Sequence, residues 1–332
     1  MANVTAGGNT DNTLSVDELL TDVLESYKTQ FPVIGQFSSD FSSETARKGQ
    51  SIIARILSAP SVEDFNGSYS KKSDGSSEAP SVGSLTKDLA ITLDQHKHVP
   101  VKMDYADLIA TRRDLYGEMV GELSYALGKD LMGKVWDKIL NANFSSKVTR
   151  TGLSTDNAEA HNLFMLHDVR ETLNSQGAST QGRYGIVSSE VMTSLLVDER
   201  IASGDYYGQL SGANGLGILR NIAGFEAIYE YPDADGNSEN LVGFFGDKSA
   251  ISIAGRVPND FNEQASRANA PAIASSTIVA DPSSGMSMMG ITYQEAGTFD
   301  IYTTLTHIYG LRAGAEGGQG STASGGCRVV TA

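Results

Sequence analysis

Asp94-x-His96-x-His98 is a set of residues whose types and spacing could do chemistry. In an extended strand these three side chains point to the same face, because successive residues alternate between the two faces. Two imidazoles and a carboxylate on one face are ligands that zinc hydrolases use. Three further histidines are candidates to complete such a metal site: His161, His167 and His307.

The predicted elements around this strand do not favour a metal enzyme. In barrels built on a metal-binding strand, strands and helices alternate eight times. Here a long helical signal follows, with no eightfold alternation, and a spacing needs the right fold around it to be a site. We therefore expect no catalytic centre, no cofactor and no resident metal. A metal-dependent hydrolase using Asp94, His96 and His98 is the alternative from another functional class.

Two other short motifs are better explained by ordinary structure. Residues 233–239 resemble part of a calcium loop but lack the closing glutamate, so we expect a hairpin turn there. The segment 285–290 misses the spacing of a nucleophile elbow, which makes Ser287 an ordinary loop serine.

Composition excludes several classes of protein. The chain has 332 residues, 40 acidic against 25 basic side chains, a net charge of −15 and one cysteine, Cys327. A single cysteine forms no internal disulfide and no cysteine-rich zinc cluster. The acidic balance disfavours a protein that wraps nucleic acid with its whole surface. We also expect no signal peptide and no membrane span, because no apolar run approaches the length that a bilayer requires.

Two predicted segments are expected to pack on a surface outside their own local structure. Apolar residues at helical spacing over 16–27 follow the capping box at Ser15 and Glu18 and predict an amphipathic arm helix. We expect its apolar face to dock outside its own local structure. Residues 50–57 and 88–101 predict a long hairpin, and its tip, 67–84, is rich in serine, glycine and charge. We expect no adjacent sheet to cover this hairpin.

The rest of the chain predicts a mixed architecture. Apolar residues stepping by four indicate a long helix over 107–141, and its several glycines predict close approach by another element. After Asn143, alternating helix and strand signals predict a compact α+β domain, with strand pairs over 218–231 and 241–254. The last strands, near 290–311 and 327–330, are expected to pair back into it.

The order of these elements resembles the major capsid protein family of tailed bacteriophages, whose fold is shared with encapsulin shells. Individually weak stretches carry the resemblance because they occur in the order of the family: 49–56, 91–99, 183–189, 222–226 and 243–250. The resemblance implies an α+β capsid fold with four parts. These parts are an N-arm (1–45), an extended E-loop (46–98), a peripheral domain with the long spine helix (99–147 and 291–332) and an axial domain (148–290).

The resemblance also implies a function. Many copies would assemble as hexamers and pentamers into an icosahedral shell around a phage double-stranded DNA genome, which the shell would contact non-specifically. A separate scaffold is expected, because few residues precede Ser15, and a portal and decoration proteins are further partners. Assembly would occur in the host cytoplasm. The candidate intersubunit contacts lie in the arm helix and at the hairpin tip: Val16, Leu20, Val23, Lys71, Lys72, Asp74 and Glu78. The alternative within the fold is an encapsulin-like compartment.

Overall fold

The structure is a computed structural model, and it describes these residues: 16–57, 86–103, 115–150, 161–202, 218–258, 275–280, 286–294, 301–313 and 325–332. The chain divides into two compact units. The first contains residues Met1–Gln50, Thr92–Lys138 and Ser252–Arg312, and the second contains Ser51–Ile91, Ile139–Ile251 and Ala313–Ala332.

The described residues form both helices and strands. The α-helices are α1 (Val16–Gln30), α2 (Leu115–Lys138), α3 (Leu163–Ser175), α4 (Ser189–Val197) and α5 (Glu199–Ala202). The strands are β1 (Ser38–Ala46), β2 (Ser51–Leu57), β3 (Thr86–Thr92), β4 (Gln95–Met103), β5 (Lys147–Arg150), β6 (Tyr184–Val187), β7 (Ile218–Ile222), β8 (Phe225–Glu230), β9 (Leu241–Gly246), β10 (Ile251–Pro258), β11 (Ser275–Ala280), β12 (Ser287–Gln294), β13 (Ile301–Ala313) and β14 (Gly326–Thr331).

The first unit consists of a sheet with the helices α1 and α2. Its strands run in the order β1-β10-β13-β12-β11, and β4 also pairs with β13. Helix α1 packs against α2 and against β11 and β12. The sequence predicted the arm helix correctly. Its apolar face docks outside its own local structure, as expected, because Val23, Leu24 and Tyr27 are buried and the helix packs on elements that are distant in the sequence.

The glycines of α2 explain how closely α1 and its exit turn approach. A Cβ at Gly128 would collide with the ring of Phe31, which follows α1 directly. One turn earlier, Ser124 Oγ donates a hydrogen bond to Ser26 Oγ at 2.9 Å. The close approach that the sequence predicted is therefore confirmed at Gly128, and its partner is the end of the arm helix.

The long helix is shorter at its carboxyl end than predicted. It ends at Lys138, because the Asn141 amide donates instead to the Glu239 carboxylate at 2.8 Å. Residues 107–114, where the prediction begins the helix, lie outside the described part of the chain.

The return strand of the predicted hairpin is two strands, and one of them joins a sheet. The break falls at Leu93, whose carbonyl accepts from the Gly49 amide at 2.7 Å and whose amide donates to the Gln50 carbonyl at 2.9 Å. After this break β4 runs antiparallel to β13. The expectation that no sheet adjoins the hairpin is therefore wrong for β4. Only β2 and β3 remain as a two-stranded ribbon.

The second unit contains a six-stranded sheet in the order β5-β14-β9-β6-β8-β7. Helices α3 and α4 contribute to its buried core, and each begins at a capping side chain, Asn162 and Ser188 respectively. The final strand pairs antiparallel with β9 and parallel with β5, as a returning strand should. The expected hairpin at 232–237 is wrong. Strand β6 lies between β8 and β9 in the sheet, so this segment connects two strands that are not neighbours. Ser287 is also not a loop serine but a buried residue of β12.

A buried arginine joins three segments of this unit. Arg328, on β14, is 2% exposed. Its Nε donates to the Phe144 carbonyl at 2.7 Å, its Nη2 donates to Asn141 Oδ1 at 2.7 Å, and its Nη1 pairs with the Glu239 carboxylate. The last strand, the segment after α2 and the β8–β9 connection are therefore held at one point.

We expect Gly128→Ala to lower the free energy of unfolding by about 1–3 kcal/mol, because the added methyl group must displace the Phe31 ring. Gly121→Ala is the matched control on the same helix. A Cβ there meets nothing within 4 Å, so the substitution should raise stability by about 0.5–1 kcal/mol through helix propensity. Denaturant unfolding monitored by circular dichroism measures both. Equal effects of the two substitutions would contradict the packing of Phe31 on Gly128.

Candidate functional site

The metal candidates lie on one face of the strand region, as their spacing predicts. Asp94, His96 and His98 are all exposed, whereas the intervening Gln95 and Lys97 are half-buried. Within the described ranges no three His, Cys, Asp or Glu side chains are placed to share a metal ion. The arrangement therefore does not assemble the hydrolase site considered above.

His96 instead takes part in a hydrogen-bonded chain. Its Nε2 lies 3.0 Å from Thr306 Oγ1. The Thr306 hydroxyl donates its one proton to the Lys97 carbonyl at 3.0 Å. The ring nitrogen must therefore be the donor to Thr306. Burial is the main cause that lowers the pKa of His96, and His98 and Lys48 add to it.

The other three histidine candidates occupy separate places. His161 and His167 lie in the second unit. His161 lies at the beginning of α3, and His167 lies on the exposed face of this helix. His307 lies on β13 in the first unit. None of these positions adds a ligand to the Asp94, His96 and His98 face within a metal group of the described residues.

Asp130 attaches the long helix to the sheet of the first unit. Its Oδ2 accepts from the Tyr309 hydroxyl at 2.6 Å, and its Oδ1 lies 3.0 Å from Lys97 Nζ. Burial and Asp130 both raise the pKa of Tyr309, which keeps the hydroxyl protonated as a donor. One carboxylate thus joins α2 to β4 and β13, two strands that are distant in the sequence.

His307 is a half-buried histidine beside this carboxylate. Its ring stacks on Tyr309 with centroids 5.1 Å apart, and its Nδ1 is buried with no hydrogen-bond partner in the described structure. Burial is the main cause that lowers the pKa of His307 to about 4, and His96 and Lys97 contribute while Asp130 opposes. The imidazole is therefore neutral at neutral pH.

The intersubunit candidates from the sequence are described only in part. Val23 is fully buried within the first unit, so in this conformation its side chain supports its own fold. The side chains of Val16 and Leu20 are not among those described. The hairpin-tip candidates also lie outside the described residues: Lys71, Lys72, Asp74 and Glu78.

Sequence reasoning missed an exposed aromatic residue in the second unit. Phe164 is 46% exposed, and the guanidinium of Arg200 lies over its ring at 4.5 Å from the centroid. Val197, at the end of α4, is 60% exposed. The helical period offered a signal, because Leu163, Leu166 and Val169 define the buried stripe of α3 and Phe164 lies outside it.

Solved structures share this architecture. The structure aligns with the capsid of the cyanophage P-SCSP1u over 90% of this chain and 86% of that chain, at a TM-score of 0.54 and 12% identity. The capsid of Ralstonia phage GP4 aligns over 89% and 86%, at a TM-score of 0.54 and 9% identity. A chain of Mycobacterium phage Adephagia aligns over 90% and 89%, at a TM-score of 0.51 and 14% identity.

These similarities identify the fold class. The chain has the α+β fold of these phage capsids, and the fold expected from the resemblance is confirmed. The sequence matches no protein-family model. No curated protein matches it either. Among the described helices, none is long and apolar enough to cross a membrane.

We expect Tyr309→Phe and Asp130→Ala to show a coupling energy of about 1–2 kcal/mol in a double-mutant cycle, because the two groups share a charge-assisted hydrogen bond. Asp137→Ala is the control for removing a carboxylate from the same helix. Its pair with Lys134 is exposed, so the loss should stay below about 0.5 kcal/mol. Denaturant unfolding provides the energies, and additive effects at Tyr309 and Asp130 would contradict the proposed link.

The free energy of unfolding should depend on His307 below neutral pH. The unfolded chain binds a proton near the ordinary pKa of 6.5, whereas the folded chain resists it down to about 4. Stability contributed by the neutral ring is therefore present above pH 6.5 and is lost as the pH falls toward 4. The free energy of unfolding should therefore fall between pH 6.5 and 4, and we expect His307→Gln to make this fall smaller by about 2 kcal/mol. Exposed His167→Gln is the control for removing an imidazole elsewhere in the chain.

Proposed function

We propose that this chain is the major capsid protein of a tailed bacteriophage, many copies of which assemble into an icosahedral shell around double-stranded DNA. The observation that carries this proposal is the capsid fold itself, shared over about nine-tenths of the chain with solved phage capsids. The work of such a protein is done by its interfaces and requires no catalytic centre.

The same proposal assigns roles to the four parts predicted from the sequence. Residues 1–45 form the N-arm, 46–98 the E-loop, 99–147 with 291–332 the peripheral domain, and 148–290 the axial domain. The β2–β3 ribbon supports the E-loop assignment, because its two strands pair with no other described strand and Ile53 on β2 is 59% exposed. An isolated two-stranded ribbon is at best marginally stable in water. A neighbouring copy would supply the surface that it lacks.

The partners follow from assembly. The first partner is another copy of this chain, arranged in hexamers and pentamers, and a separate scaffold, a portal and decoration proteins complete the particle. The net charge of −15 supports only non-specific contact with the packaged genome, because an acidic wall repels phosphates. The mature location is the virion capsid, after assembly in the host cytoplasm.

Sedimentation velocity and negative-stain microscopy of the expressed protein, alone and with its native gene neighbours, test this function. We expect closed megadalton particles that sediment as one species. A stable monomer or dimer under both conditions would contradict the proposal. Packaged DNA in particles recovered from infected cells would distinguish a viral shell from a cargo compartment.

Deletion of residues 67–84 should leave a folded subunit that no longer forms closed shells, because the proposed E-loop would lose its contact with the neighbouring copy. Circular dichroism and thermal unfolding check the fold, and microscopy checks the shells. The substitutions Lys71→Ser and Lys72→Ser, made together, are the control that separates the charge of the tip from its length. Normal shells from the deletion variant would contradict the role given to this loop.

A further inference from the structure

The second unit presents an exposed aromatic side chain with a cation on top of it. Phe164 projects from α3 and carries the guanidinium of Arg200 over its ring, and Val197, the last residue of α4, is exposed as well. We call these three side chains the Phe164 knob. Arg200 makes no ion pair with any other described residue, so the knob offers a positive charge at its surface.

The knob rests on a rigid base. Asp198, only 3% exposed, accepts from the Leu163 amide at 2.9 Å through Oδ2 and from the Arg200 amide at 3.0 Å through Oδ1. This carboxylate ties the first residue of α3 to the junction between α4 and α5. Phe164 and Arg200 are therefore held together before any partner arrives, which lowers the entropic cost of binding.

The same unit contains an open depression at the other end of α4. It has a volume of about 480 Å³ and is lined by both polar and apolar residues, and Pro232 and Val242 are among the apolar ones. Two carboxylates also line it, Glu190 in the first turn of α4 and Asp235 in the β8–β9 connection. We call this site the α4 depression. The partial positive charge of the helix amino terminus is offset there by Glu190.

The two surfaces are complementary and lie at opposite ends of one helix. Helix α4 has nine residues and spans about 13 Å at 1.5 Å per residue. The Phe164 knob lies at its carboxyl end and the α4 depression at its amino end, so a knob cannot reach the depression of its own copy. Different surfaces that match each other between copies produce head-to-tail association, which closes into rings.

We propose that the Phe164 knob of one subunit seats in the α4 depression of the next subunit around a ring of the shell. This inference rests on the proposed shell function and names one of its contacts. The Phe164 ring packs against Pro232 and Val242, and the Arg200 guanidinium pairs with the Glu190 and Asp235 carboxylates of the next copy. The apolar contact contributes binding energy, and the charges select the head-to-tail arrangement.

A charge exchange tests the pairing. Arg200→Glu alone, and Glu190→Lys with Asp235→Lys, should each lower the yield of closed particles by about tenfold or more, because like charges would then meet. Combining all three substitutions should restore the yield to within about threefold of the original. Lys248→Glu makes the same charge change as Arg200→Glu at an exposed residue outside the knob and should have no effect. Normal assembly of Arg200→Glu, or no recovery in the combined variant, would overturn the inference.

Disulfide trapping tests the same contact without changing its charges. Val197→Cys and Ala234→Cys place one thiol in the knob and one in the depression, while the native Cys327 is fully buried. Oxidation of the double variant should give a ladder that extends to pentamers and hexamers on a non-reducing gel, whereas each single variant should give no ladder. Dimers alone would indicate a symmetric contact and would overturn the head-to-tail pairing.

The two proposals fail in different ways. If the original protein forms shells but the double variant gives no ladder, the knob contact is wrong and the capsid function stands. If the original protein forms no shells under any condition, the capsid function is wrong. The ladder still tests the contact in that case, because it requires only two copies meeting at high concentration.

Discussion

The buried guanidinium of Arg328 is the constraint on which the second unit depends. A charge this deep requires polar partners, and here a carbonyl, an amide oxygen and a carboxylate accept hydrogen bonds from the guanidinium. The partners come from the segment after α2 and from the β8–β9 connection. The charge therefore positions the last strand between β9 and β5, and it also stabilises the connection that lines the α4 depression.

In the first unit a charged side chain also links separate elements, but it is more exposed to solvent. Asp130 is about one-third exposed, yet it receives both the Tyr309 hydroxyl and the Lys97 ammonium. The long helix is thereby aligned with two strands of the sheet, while Phe31 packs on Gly128 along another side of that helix. The arm helix is covered by its own chain through Val23, Leu24 and Tyr27. A subunit organised in this way leaves the β2–β3 ribbon as the described element that most needs a neighbour.

The proposed shell function needs surfaces that are complete only in an assembly, and the described residues offer two candidates. The ribbon presents Ile53 and pairs with no other described strand. The Phe164 knob and the α4 depression are preformed and complementary in charge.

The sequence alone determined the spacing of apolar residues within each helix and strand, and the order of these elements along the chain. Apolar spacing predicted the arm helix and the long helix, and the order of parts predicted the capsid fold. Alternation predicted that Asp94, just before β4, shares a face with His96 and His98. Only the tertiary structure decided the partners: β13 beside β4, β6 between β8 and β9, and Phe31 on Gly128. The physical reason is that local spacing reports which face of an element is apolar, whereas the residue that covers this face lies far away in the chain and is selected by packing.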